Sequence, residues 1–270
     1  MGVSVSPGKR FVKRWSRRLF SLTGRILGRS GITPGVRILT YHRIENDPAN
    51  PFALSPTDFI HQMEILVSSG ALVSLTDSLQ HLTCRRSPIP RIVVTFDDGT
   101  SDFLHNAFPV LSRLMIPATL YVNPSRVGMV GFLNWGDLRQ LSRAGVSIES
   151  HGLEHLSLGG LPRPAVLREV ADSRRILEDR LGHAVTSFAY PFGTVRDFNA
   201  EVKEIVRDAG YRTACASING INREGSDLLE LRRTKIEQSD DPIFPWLLAG
   251  CMDGWAFFDR HLSGIQNRYR

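Results

Sequence analysis

The chain has 270 residues, 42% hydrophobic and 22% charged, which suits a folded protein with one large domain and an arm. Its net charge of +6 is localised: residues 1–30 carry eight basic side chains and no acid, so the rest is slightly acidic and offers no basic face to nucleic acid. Cys84, Cys215 and Cys251 are too few and too scattered for a disulfide framework or a zinc–cysteine site, which favours a reducing, cytoplasmic setting, and no apolar run reaches the ~18 residues of a membrane span.

Residues 9–28 space Phe11, Trp15, Leu19, Leu22 and Ile26 by threes and fours, with Lys and Arg between them. This is the pattern of a basic amphipathic helix, and it fits either peripheral contact with a membrane surface or docking on the protein. Ser16-Arg17-Arg18-Leu19-Phe20 also looks like a twin-arginine export signal. Gly24, Arg25 and Arg29 break the uncharged stretch such a signal needs. The expected organisation is an arm and linker over 1–35, ending in Thr33-Pro34-Gly35, and one domain over 36–270.

Within that domain, 36–41 reads as a first strand that ends at His42. Ser55-Pro56-Thr57-Asp58 caps a helix that runs to about Ser68 and stops at Gly70. A short helix is expected over 76–82. Arg91-Ile-Val-Val-Thr-Phe96 is rich in β-branched residues and reads as a buried strand that runs into Asp97-Asp98-Gly99. Further strands are expected over 118–122, 146–150, 185–190 and 211–216 and near 229–236. Helices are expected over 104–115, 135–144, 164–181 and 199–209 and in the tail from Pro242. The alternation predicts a mostly parallel α/β arrangement, and six or seven such units favour a barrel over an open sheet. The turn over 131–136 does not fit a dinucleotide fingerprint.

The chemistry collects at predicted strand ends. Side chains of adjacent residues on a strand diverge, so Asp97 and Asp98 can do different work: one can bind a metal while the other acts as a base. His151-Gly-Leu-Glu-His155 supplies two imidazoles four apart. Two histidines and one carboxylate make a catalytic site for Zn²⁺ or a similar divalent ion. In a parallel sheet, His42, Tyr190 and the Pro191-Phe192-Gly193 turn reach the same mouth.

Leu39-Thr-Tyr-His-Arg-Ile44, Thr95-Phe-Asp-Asp-Gly99, Ser150-His-Gly-Leu-Glu-His155 and Phe188-Ala-Tyr-Pro-Phe-Gly193 resemble polysaccharide deacetylases, the NodB-type domain of carbohydrate esterase family 4. Asn134-Trp-Gly-Asp-Leu-Arg-Gln-Leu141 and Asp208-Ala-Gly-Tyr-Arg212 look familial too, and the resemblance covers roughly 36–236. It implies a deformed (β/α)7 barrel and metal-dependent removal of acetyl groups from amino sugars. Carried over, Asp98, His151 and His155 bind the metal and Asp97 is the general base. The backbone N–H of Phe192 helps hold the oxyanion, with Tyr190 beside it on the substrate side.

Two positions depart from the family's commonest pattern. Many members carry an arginine where this chain has Ala189, which makes Arg233 a candidate to orient Asp97, with a surface arginine as the alternative. Many also carry a late Leu-x-His run that is absent here. Tyr-His-Arg-Ile members place the histidine early instead, so His42 is the expected general acid. Zn²⁺ is favoured, and Co²⁺, Ni²⁺ or Mn²⁺ fit the same donors. The expected substrate is an acetylated amino-sugar glycan or its lipid-linked precursor. An O-acetyl esterase, or a non-catalytic module that binds glycan or membrane, are the other readings.

Overall fold

β1 (Val36–Tyr41) is buried along its whole length. A small parallel pair follows it, β2 (Arg43–Ile44) with β3 (Ala53–Leu54), which the sequence pattern does not signal. The computed structural model describes residues 34–83 and 90–256. The expectations for the arm over 9–28 and for Cys84 lie outside those residues.

β4 (Arg91–Phe96), β5 (Ala118–Val122), β6 (Ser147–Ser150), β7 (Ser187–Ala189), β8 (Thr213–Cys215) and β9 (Arg233–Lys235) join β1 in one parallel sheet. Among the described residues its order is β8-β7-β6-β5-β4-β1-β9. The two ends of that order meet again. Ala214 and Ala216 N–H donate to the carbonyls of Leu228 and Leu231, and Leu231 N–H donates back to Ala214. The sheet thus nearly closes into the deformed (β/α)7 barrel, loosest between β8 and β9.

Parallel strands are covered on both faces, so both faces must be apolar. The inner set is Val36, Ile38, Val93, Tyr121, Ala189, Cys215 and Leu231, closed below by Leu75, Leu79 and Leu82. The outer set, including Leu39, Tyr41, Val94, Phe96, Leu120, Val122, Ile148 and Phe188, packs against the surrounding elements. The period of two fixes which residues look inward. Continued from Val93, the inward parity passes through Thr95 to Asp97.

Ser55 caps α1 (Pro56–Ser68) by accepting the Asp58 N–H at 3.0 Å. α2 (Leu75–Thr83) forms the barrel floor. The helix expected over 104–115 is a wide π turn, Phe103–Ala107, followed by α3 (Phe108–Arg113). Asn134 and Asp137 form a capping box at the start of α4 (Trp135–Arg143). The helix expected over 164–181 is α5 (Arg163–Leu167), a second π turn (Arg168–Asp172) and α6 (Ser173–Leu181). Periodicity alone does not resolve one extra residue in a turn. α7 (Ala200–Asp208) and α8 (Phe244–Leu248) complete the set. β7 is shorter than expected, and before it the Val185 carbonyl is taken by the Arg174 Nε.

Candidate active site

At the end of β4 the backbone turns sharply: Asp98 and Gly99 both have left-handed φ, +73° and +69°. Asp97 keeps the inward parity, while Asp98 swings to the rim with a quarter of its side chain exposed. β6 delivers His151, 2% exposed, and the following loop brings His155 beside it. The Asp98 Oδ1 lies 3.4 Å from His155 Nε2 and 3.9 Å from His151 Nε2. The donor atoms of Asp98, His151 and His155 all lie within 4.8 Å of one another.

Two observations test whether this set suits a cation. The Asp98 Oδ1 is buried with no hydrogen-bond partner. The His151 Nδ1 lies 2.8 Å from the Ala189 carbonyl, which can only accept, so Nδ1 carries the proton and the Nε2 lone pair faces the cluster. Burial lowers the pKa of His155 to about 4 despite the nearby Asp98, so its ring is neutral and free to ligate. The donors fit a divalent ion of the Zn²⁺ class. Among the described residues, four non-glycine residues have left-handed φ, and Asp98, His155 and Phe192 are three of them. Such conformations cost energy and collect at functional sites.

Arg233 reaches Asp97 from β9, 136 residues away, with both ends of its guanidinium at 2.7 and 2.8 Å. It is 1% exposed, donates its Nε to the Ala216 carbonyl at 3.0 Å and lies over the Tyr121 ring. Burial alone pushes the Asp97 carboxyl up. The Arg233 guanidinium, by its charge and its two hydrogen bonds, outweighs it and holds the group well below the usual carboxylate range. An inner-facing Ala189 thus coexists with a buried arginine that enters from the opposite edge of the barrel closure.

His42 follows β1 and stacks on Phe52, with ring centroids 5.2 Å apart. Its Nδ1 is buried without a hydrogen-bond partner. Burial lowers its pKa, Asp97 and Asp98 pull it back up, and Lys235 and Arg233 push it down; the net direction is down. The Lys235 Nζ lies 5.1 Å from the centroid of the same Phe52 ring. Phe192 is 39% exposed, and its ring packs 4.6 Å from that of His155.

Tyr190 corrects an expectation. It is fully buried, stacks on Phe198 at 4.2 Å and donates its hydroxyl to the Leu229 carbonyl at 2.9 Å. Ala189 faces inward, so strand alternation sends Tyr190 to the outer apolar layer rather than into the barrel. Asn123 and Glu169 were not singled out from the sequence; both bind the backbone of the 151–155 loop.

A sequence profile of the polysaccharide deacetylases matches residues 85–214. Over that segment, just under half of its length, the chain resembles the polysaccharide deacetylases. It is 28% identical to YxkH of Bacillus subtilis, named as a polysaccharide deacetylase, over 74% of this chain and 70% of that protein. It is 22% identical to the poly-β-1,6-N-acetyl-D-glucosamine N-deacetylase of Staphylococcus aureus over 60% of each chain. The Streptococcus pyogenes deacetylase PplD, solved with acetate, superposes with a TM-score of 0.71 at 25% identity, covering 78% of this chain and 98% of that one. The matched profile is that of carbohydrate deacetylases, which are hydrolases.

Proposed function

We propose that the protein is a metal-dependent N-deacetylase of an acetylated amino-sugar glycan or of its lipid-linked precursor. The observation that carries this reading is the meeting of Asp98, His151 and His155 with a second carboxylate, Asp97, ion-paired to Arg233. The name of the staphylococcal relative supports the amino-sugar glycan.

Asp98, His151 and His155 would hold the ion. When bound there, a divalent ion supplies Lewis-acid polarisation of the acetyl carbonyl and lowers the pKa of water. Asp97 is ionised, and Arg233 fixes its orientation; it takes the proton of the attacking water as the C–O bond forms. The Phe192 N–H helps stabilise the oxyanion. His42 gives its proton to the nitrogen as the C–N bond breaks, leaving acetate and a free amine. A lowered pKa leaves fewer His42 rings protonated at neutral pH, but each protonated ring is a stronger acid.

The test is acetate release from N- and O-acetylated oligosaccharides, with and without chelator. Zinc-dependent release from the N-acetyl substrate is expected. Asp97→Asn should keep the metal and lose on the order of 10²–10⁴ in turnover, whereas Asp98→Asn should lose the metal. His42→Ala should also keep the metal, and it should be impaired on the amide far more than on an aryl acetate, whose leaving group needs no proton. Release from O-acetyl substrates alone would replace this reading with an esterase, and release from neither would refute it.

A further inference from the structure

The loop that carries both histidines is held from outside itself. Among the described residues, no peptide group of 151–154 bonds to another peptide group within the loop. The His151 N–H goes to the Val122 carbonyl, and the Gly152 N–H reaches the Ser150 hydroxyl at 3.3 Å. The Leu153 carbonyl accepts from the Ser125 N–H and hydroxyl. Two buried side chains complete the set. Asn123 donates its amide to the carbonyls of His151 and Gly152. The Glu169 Oε2 accepts the N–H groups of both Leu153 and Glu154, each at 3.0 Å.

Glu169 is placed for this by the second π turn, Arg168–Asp172, and is 1% exposed. π turns recur at functional positions because the extra residue re-aims a side chain. The fit is close: at Gly152, φ +76°, a Cβ would lie 3.3 Å from Glu169 Oε2 and 3.2 Å from the Pro191 ring. Successive amides aimed at one oxygen make an anion-binding concavity, and here a carboxylate of the same chain fills it. Directly after the clamped amides comes His155, whose φ of +61° a histidine does not adopt freely.

We infer that Glu169 is a positioning residue for the metal site: through Leu153 and Glu154 it sets the separation and orientation of His151 and His155 before any ion arrives. This rests on the metal-binding reading above. A preorganised ligand pair spares the ion the cost of ordering the loop. Outer partners of metal ligands typically contribute 10- to 100-fold in affinity.

The experiment compares Glu169→Asp, which keeps the charge and withdraws the oxygen by one methylene, with Glu169→Gln, which keeps the reach and one acceptor. Zinc affinity is measured by competition with a chromophoric chelator, the Co²⁺ d–d spectrum reports ligand geometry, and the unfolding midpoint of the apoprotein is followed alongside. Glu169→Asp is expected to weaken zinc by about 10- to 100-fold and to shift the cobalt spectrum, while Glu169→Gln stays within about threefold of wild type with an unshifted spectrum. Wild-type affinity in Glu169→Asp would overturn the inference, as would equal losses in both variants. A change confined to the apoprotein midpoint would also overturn it, because that is what a purely structural role predicts. Failure of the wild-type protein to bind zinc would instead refute the metal site itself.

Discussion

Two buried carboxylates sit at opposite ends of the barrel and behave oppositely. Asp97 at the mouth is 4% exposed and Glu149, toward the floor on β6, is 6% exposed, so burial pushes both pKa values up. Asp97 faces a guanidinium and ends far below its ordinary value. Glu149 has neutral donors bonded to it: the N–H groups of Thr186 and Ser187 at 2.9 and 2.7 Å, and the Ser147 hydroxyl at 3.0 Å. Its pKa rises to about 7. Three neutral hydrogen bonds do not offset its desolvation, whereas one bidentate arginine at the mouth does. The mouth thus keeps a charge available for chemistry, and the floor ties β6 to β7 with a carboxyl that is half protonated near neutrality.

The largest expected effect comes from breaking the mouth pair. Arg233→Met strands Asp97 as an unpaired buried charge and should cost about 3–5 kcal/mol in urea unfolding at pH 7. Adding Asp97→Asn should recover part of that loss. Asp97 is lowered, so the pair's stability is present above the ordinary aspartate pKa of about 3.9 and is lost as pH falls through that region and below. If Arg233→Met unfolds within 1 kcal/mol of wild type, the guanidinium is not what separates the two ends.

Glu149 gives the opposite sign. Its folded pKa is raised, so the folded state binds the extra proton between about 4.5 and about 7, and stability falls as pH rises through that window. The shift corresponds to about 3 kcal/mol. Glu149→Gln should remove that slope from a plot of unfolding free energy against pH and leave zinc binding at the mouth unchanged. An unchanged slope would mean that Glu149 is ionised at neutral pH despite its burial.

A smaller change sharpens the same point. Ser147→Ala deletes one of the three neutral donors, and it should cost about 1 kcal/mol near pH 7 and move the Glu149 transition further up. The smallest effect on the barrel should come from deleting residues 1–30. We propose that this basic arm contacts an anionic membrane surface, at about 1 kcal/mol per basic group, screened by salt. Deletion should abolish salt-sensitive co-sedimentation with anionic vesicles while leaving both carboxylates, and turnover of a short soluble substrate, as they were. Equal sedimentation of the truncated protein would remove the arm from that role.

Much of the site was legible because its residues stand beside strands whose composition announces them. Ile92, Val93 and Val94 mark β4, so Asp97 and Asp98 could be placed at its carboxyl end, and the same logic placed His151 after β6. Parallel alternation then implies one mouth. Tyr190 was misplaced although the same period of two carries the answer: if Ala189 faces in, its neighbour faces out. Arg233 could be named as a candidate only from the gap at Ala189, since nothing local distinguishes it from Arg232 beside it. Glu169 and Asn123 had no local mark at all, because a buried Glu in a helix reads like a solvated one until the fold shows what it touches. The sequence determined the strands, their parity and the polar residues at their ends, because these depend on neighbours a few residues away. Tertiary structure alone decided which cation meets Asp97 and what clamps the histidine loop, because those bonds join residues brought together only when the barrel closes.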